Sequence, residues 1–290
     1  MWRTNSSKVG TALLWLVAWT GSFAADIGSS EQQLSISDPR PVAKAVEVLS
    51  QRHGIVITYE DPAYAFEGDL KDVTAAASRS PLKPGQRVLI PRGGAIQLSY
   101  SLSTSTGKPD NPAALVRKVL DTWIASGGGS QFELIQQGDA FHVVPVMVRG
   151  SGGAWVATRS VLDTPITLAL RPRSGTEMVD AICSALSAGR VRVAVGMAPE
   201  SALANAQVAE GGTNEPARDI LSRTLNQLSK ETASKFGEGG DQAYVWQLLF
   251  DPTAKSYFLN LSVLPRLKPI QKPKAEQPDP AASDPNTSRR

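Results

Sequence analysis

The chain repeats itself, and the repetition limits its possible folds more than any other feature. Asn111-Pro112-Ala113 opens a segment whose apolar positions are Leu115, Val116, Val119, Leu120 and Trp123. Asn214-Glu215-Pro216-Ala217 opens another with Ile220, Leu221, Leu225 and Leu228. Apolar residues at three- and four-residue steps form one stripe of a helix. In each stretch Asn is the expected cap and Pro sits in the first turn. Each is followed by two short strands of alternating pattern. An earlier helix recurs as well, at Val42 to His53 and at Glu177 to Ala188.

The expected fold is α+β, with two duplicated small domains that each read β-α-β-β-α-β-β. Two helices per unit would cover short mixed or antiparallel sheets. The first unit, 30–147, begins with the strand Leu34-Ser35-Ile36 and the helix stripe Val42, Ala45, Val46 and Leu49. His53-Gly54 ends that helix, with glycine at the usual left-handed cap. Ile55 to Tyr59 is a β-branched run suited to a buried strand, and Ala95 to Leu102 alternates. The Asn111 helix stops at Gly127-Gly128-Gly129. A hairpin follows, from Phe132 to Gln136 and from Phe141 to Val144, turning at Gln137-Gly138-Asp139. The segment 69–94 is an insertion, holding Pro81, Pro84, Pro91 and a short strand from Arg87 to Ile90.

The second unit, 161–264, follows the same order. Its strand Ile166 to Leu170 leads into Ser174-Gly175-Thr176-Glu177, which has capping-box spacing. Val191 to Val195 is its buried strand and Ala204 to Ala209 a weaker one. The Asn214 helix precedes a hairpin of Tyr244 to Phe250 and Tyr257 to Leu261. Between the units, 148–160 reads as a linker whose Gly152-Gly153 is flexible. Trp155-Val156-Ala157 within it reads as an added strand, with Trp155 packed between the domains.

Arg3 and Lys8, the apolar run from Thr11 to Thr20 and the small residues Ser22 and Ala24 have the form of a signal peptide, residues 1–24. The alternative is an uncleaved anchor. Cleavage would place the protein in the periplasm or outside the cell, with no stable membrane span. Residues 265–290 are polar and Pro-rich and read as a disordered tail. The chain has 30 basic and 27 acidic residues. Setting aside two basic residues of the leader, and six basic and three acidic ones of the tail, leaves 22 basic against 24 acidic. The folded part therefore has no surplus of cations for a phosphate backbone, and no nucleic-acid partner is expected. The single cysteine, Cys183, excludes a disulfide framework. Its place on the apolar stripe of a helix marks a buried thiol.

Leu34-Ser-Ile-Ser37, then Pro41 to Leu49, then Arg52-His-Gly-Ile-Val-Ile-Thr-Tyr59, with the Asn111 helix and the Phe132 to Val144 hairpin, carry a likeness. On these residues the chain resembles the secretin and TonB short N-terminal domain, a periplasmic α+β module. The second unit resembles it most from Asn214 to Leu261. The chain as a whole is also similar to a group of small exported bacterial proteins. The module is doubled here, and no β-barrel, secretin ring domain or TonB-interacting box follows it in the sequence. The resemblance therefore implies docking to other envelope proteins rather than a channel or receptor.

Residue chemistry points the same way. His53 is accounted for by a helix end and His142 by a hairpin strand, and no serine lies in a nucleophile elbow. No spacing suits zinc, and neither glycine cluster ends as a phosphate loop does. We expect no catalytic residue and no cofactor. The acidic turn Glu60-Asp61, with Tyr59 and Tyr64 beside it, reads as an exposed recognition surface for an envelope partner. With Asp69 and Asp72 nearby, calcium is an alternative ligand. The expected function is non-enzymatic protein docking. The alternative is a cell-wall or other hydrolase with a site between the two domains.

Overall fold

The computed structural model describes residues 29–77, 85–103, 105–189, 191–236 and 242–265. The expected leader and the tail beyond Pro265 lie outside them. The first half builds β1 (Ser29–Asp38), α1 (Pro41–His53), β2 (Val56–Glu60), β3 (Leu70–Asp72), α2 (Thr74–Ala77) and β4 (Leu89–Pro91). It continues with β5 (Gly94–Ser103), α3 (Pro112–Ala125), β6 (Ser130–Gln137), β7 (Ala140–Arg149) and β8 (Trp155–Ala157). The second half builds β9 (Pro165–Ser174), α4 (Gly175–Ser187), β10 (Arg192–Val195), α5 (Glu200–Asn205), β11 (Gln207–Pro216), α6 (Ala217–Phe236), β12 (Gln242–Asp251) and β13 (Ser256–Pro265). The protein is α+β, as its patterning predicts. Among the described residues no helix is long and apolar enough to cross a membrane.

Local chemistry explains most helix ends. Asn111 Oδ1 accepts from the Ala114 N–H at 2.9 Å, and Pro112 fills the first turn of α3. Ser174 and Glu177 satisfy each other's backbone N–H groups at the start of α4. Gly54 takes φ of 63° and donates to the Ser50 carbonyl, closing α1 in the left-handed conformation that costs glycine least. The start of α6 differs from expectation. Asn214 is not its cap: it lies at φ of 52° and its N–H donates to Thr167 Oγ1 at 3.0 Å. Pro216 belongs to β11, because β11 pairs with β9 through Glu215↔Ile166 and Pro216↔Pro165. The ladder claims residues that local propensity assigns to a cap. Likewise Ala204 and Asn205 belong to α5, and the strand expected from Ala204 begins at Gln207.

The pairing scheme recurs between the halves. β1 lies antiparallel to β5 and β9 antiparallel to β11; β2 lies parallel to β7 and β10 parallel to β13. β6 pairs antiparallel with β7, as β12 does with β13. The recurrence stops at β3, α2 and β4 in the first half and at α5 in the second. We propose that the halves are duplicates. Superposing 42–144 on 166–261 is then expected to pair α1 with α4, α3 with α6 and hairpin with hairpin, leaving the residues from 69 to 94 unmatched. Helices that fail to overlay while the strands do would make the likeness one of pattern alone.

A single seven-stranded sheet joins the halves in the order β10-β13-β12-β2-β7-β6, with β8 added against β7. At the junction β12 runs parallel to β2, through Gln247↔Tyr59 and Leu248↔Glu60. Side chains alternate across a strand, so each half can bury one face of its strands. Ile57, Tyr59, Phe141 and Val143 enter the first core with α1 and α3. Tyr244, Trp246, Leu248, Tyr257 and Leu259 enter the second with α4 and α6. Cys183 is buried in that second core, and burial raises its thiol to about 12.

The segment expected to be a flexible linker is ordered. Gly150 to Gly153 forms a turn closed by the Gly153 N–H to the Gly150 carbonyl at 2.8 Å, and β8 folds back on β7. Trp155 is not packed between the halves. It is 42 % exposed, with the Arg149 guanidinium 5.9 Å from its ring centre.

Candidate functional site

The residues expected to form an exposed acidic surface lie inside the protein. Tyr59, Glu60 and Asp61 are buried, and Tyr64 is half-buried. Asp61 Oδ2 accepts from Arg40 Nε at 2.6 Å and from the Phe250 N–H at 3.0 Å, while Oδ1 accepts from Tyr59 Oη at 2.8 Å. Tyr64 Oη adds a longer contact of 3.3 Å. Arg40 also donates to the Phe250 carbonyl at 2.7 Å. One carboxylate thus ties the start of α1 to β2 and β12. Burial raises the Asp61 pKa, and Arg40 opposes that rise.

The neighbouring acid serves a different seam. Glu60 accepts from the Ser160 hydroxyl and from the Val161 N–H. Arg218 Nη2 donates to Ser160 Oγ at 2.7 Å and its Nη1 pairs with Asp163 at 2.7 Å. Burial lifts the Glu60 carboxyl to about 7 despite these donors. Asp69 pairs with Arg149, and Asp72 with Arg87 and Thr74. The four carboxylates raised as a calcium alternative therefore point into four separate networks. Among the described residues no His, Cys, Asp or Glu group is arranged to hold a metal ion.

A cleft opens beside the Asp61 and Asp69 networks. Its volume is about 150 Å³, and its walls include Arg40, Arg92, Arg149, Tyr64, Trp123 and Phe132. Arg149 is fixed by one carboxylate and one aromatic ring. Its Nε meets Asp69 at 3.1 Å, its Nη2 meets the same carboxylate, and its guanidinium lies 5.3 Å from the Phe66 ring centre. Arg92 is exposed and donates to the backbone carbonyls of Gly68 at 2.6 Å and Leu70 at 3.1 Å. Trp123 donates from its indole to the Ser130 carbonyl at 3.1 Å, which holds the ring against the glycine run. At Gly129 a Cβ would stand 2.5 Å from Asp69 Oδ1, so the run is glycine because the backbone passes against the Asp69 carboxylate. Three guanidinium groups face two buried carboxylates, leaving the cleft with surplus positive charge. The sequence flagged Asp61, Asp69 and the glycines but not Arg40, Arg92 or Arg149. No periodicity marks an arginine that comes to a site from a distant element.

His142 lies between the halves, where a hydrolase site was the alternative expectation. It stacks on Trp246 at 5.9 Å, and its Nδ1 lies 2.7 Å from Thr58 Oγ1 and its Nε2 3.1 Å from Gln137 Oε1. The adjoining cavity of about 290 Å³ is also lined by Ser222, Arg223 and Asn226. Burial, aided by Arg218, lowers the His142 pKa to about 4. His53 is buried at the end of α1 with Nε2 2.9 Å from Tyr100 Oη.

No protein-family model, no curated protein and no solved structure matches this chain.

Proposed function

We propose that the protein is a non-enzymatic docking module of the cell envelope. In this reading it recognises a carboxylate-bearing segment of another envelope protein in the arginine-lined cleft of the first half. The observation that carries the reading is the cleft itself. Arg149 and Arg40 are held by buried carboxylates and Arg92 by backbone carbonyls, so all three are positioned before any partner arrives. Groups ordered in advance lose little entropy on binding. Guanidinium forks match carboxylates geometrically, and the aromatic walls supply apolar contact. Asp61 of the acidic turn expected to meet the partner instead acts from behind, as the anchor of Arg40. Export by a cleaved leader and kinship with the short N-terminal domain of secretins belong to the same proposal.

Photocrosslinking in intact cells tests it. A benzoylphenylalanine placed at Ala95, an exposed residue of the cleft wall, is expected to capture an envelope protein. The same group at exposed Gln51 is expected not to. Arg92→Glu should remove the Ala95 adduct without changing the circular dichroism spectrum. An adduct at both positions, or one that survives Arg92→Glu, would remove the cleft from consideration.

A further inference from the structure

The junction between the halves is a parallel strand pair, and among the described residues the counterparts of its two partners each recur with one edge free at the ends of the sheet. β12 is the outer strand of the second hairpin, as β6 is of the first. β2 is the strand that follows the first helix, as β10 follows α4. Within the chain β12 meets β2, which leaves β6 at one edge of the seven-stranded sheet and β10 at the other.

Strand directions show how the halves are related. β2 and β7 run one way and β6 the other, while β12 runs with β2, and β13 and β10 run against it. The second half is therefore turned over relative to the first, which puts its helices on the other face of the sheet. The relation is a half-turn combined with a step along the sheet, so it does not close on itself. Such head-to-tail contacts generate open filaments or rings rather than closed dimers.

We propose that one copy of this chain adds to the next by pairing its β6, in parallel, with the neighbour's β10. The internal junction predicts the register. Val193 and Val195 pair with Tyr257 and Leu259 as Ile57 and Tyr59 pair with Phe141 and Val143. Leu248 opposes Leu259 as Leu134 opposes Val143. The Gln247↔Tyr59 and Leu248↔Glu60 pairs thus translate to Glu133↔Val195 and Leu134↔Gly196.

Three features of the edges suit this occupant. At the junction the Asp61 N–H donates to the Leu248 carbonyl at 2.8 Å. The corresponding Met197 N–H has no strand partner and is held by the Asn260 side chain at 2.8 Å, where an incoming Leu134 carbonyl would sit. Met197 is 74 % exposed, and Ile124 on α3, which packs over β6, is 43 % exposed. The edges also differ in charge, with exposed Glu133 on β6 and exposed Arg192 on β10, which favours unlike edges over like ones. This pairing is independent of the arginine cleft.

Sedimentation velocity on the whole protein provides the test, taken up to about 1 mM, the effective concentration that a short tether supplies to an internal contact. The weight-average mass is expected to rise with concentration, and Val195→Pro to weaken that rise by at least about tenfold, since the Gly196 N–H bonds inward to Leu259 and the Val195 N–H that proline removes points to the open edge. Oxidation of the Glu133→Cys, Val195→Cys double variant should give a ladder of crosslinked multimers. Either single variant should give at most a dimer. A protein that stays monomeric throughout, or a ladder absent from the double variant at multimer-forming concentrations, overturns the proposal. Efficient dimers of Glu133→Cys alone would show that like edges meet and would also overturn it.

Discussion

Replacing Asp61 by alanine is expected to destabilise the protein by about 3–5 kcal/mol, the range for breaking a buried ion pair from one side. The exposed-turn reading of Glu60-Asp61 implies a change of less than ~0.5 kcal/mol. The structure reverses that expectation. The truncation leaves the half-buried Arg40 guanidinium, the Tyr59 hydroxyl and the Phe250 N–H without their acceptor. Each group was desolvated on folding, and its lost bond is not replaced by water in a buried site. The small cavity adds to the cost. Asp61→Asn keeps an acceptor for two of the donors but removes the charge, so its loss should be smaller than that of alanine. Urea unfolding followed by tryptophan fluorescence measures both. A midpoint for Asp61→Ala within error of wild type would mean that the network adds nothing, and Arg40 would lose its proposed anchor. The effect should also reach the site: with Arg40 released from Asp61, crosslinking from Ala95 is expected to fall even under conditions where the variant remains folded.

How far the sequence could be read depended on the range of each interaction. The Asn111 cap, the Ser174 and Glu177 box and the Gly54 helix end involve groups within a few residues of one another, and all form as expected. Both hairpins and the two cores follow from apolar spacing alone. Asn214-Glu215-Pro216 carries the same local signal as Asn111-Pro112, yet it forms part of β11, because the decisive partners lie on β9. Glu60-Asp61-Pro62 looked like a solvated turn for a similar reason. Charges beside proline usually face water, and nothing nearby revealed that Phe250 and Ser160 would be brought to them across 189 and 100 residues. The cleft was the least legible part. Its arginines lie at the start of α1, after β4 and at the end of β7, so only the assembled fold shows that they converge. The β12·β2 junction was equally hidden, since any strand edge can pair and patterning does not specify which one does.

Glu60 is expected to make stability fall as pH rises through neutrality, and Glu60→Gln to abolish that fall. Its carboxyl titrates near 4.5 in a model peptide and at about 7 in the fold, where burial outweighs the donors from Ser160 and Val161. A raised carboxyl pKa means that the native state holds a proton which the unfolded chain has released. The stabilisation is complete below the unfolded value and is lost as pH rises through the folded one. A shift of this size corresponds to roughly 3 kcal/mol. His142 acts in the opposite sense, because its folded pKa of about 4 lies below the 6.5 of an ordinary imidazole. Its contribution grows with pH over that interval, so the wild-type curve should look shallow where the two windows overlap. Subtracting the variant from wild type cancels the histidine. Between about pH 4 and about pH 8, Glu60→Gln should gain roughly 3 kcal/mol relative to wild type. Gln can still accept from the Val161 N–H while its amide donates to Ser160 Oγ, so at the acid end the two proteins should differ little. Urea midpoints across the range provide the measurement. A difference that stays flat with pH would mean that Glu60 is ionised throughout and that Arg218, acting through Ser160, carries more of its charge than burial removes. The His142→Gln protein should show the uncancelled fall directly, which separates a silent Glu60 from one masked by the imidazole.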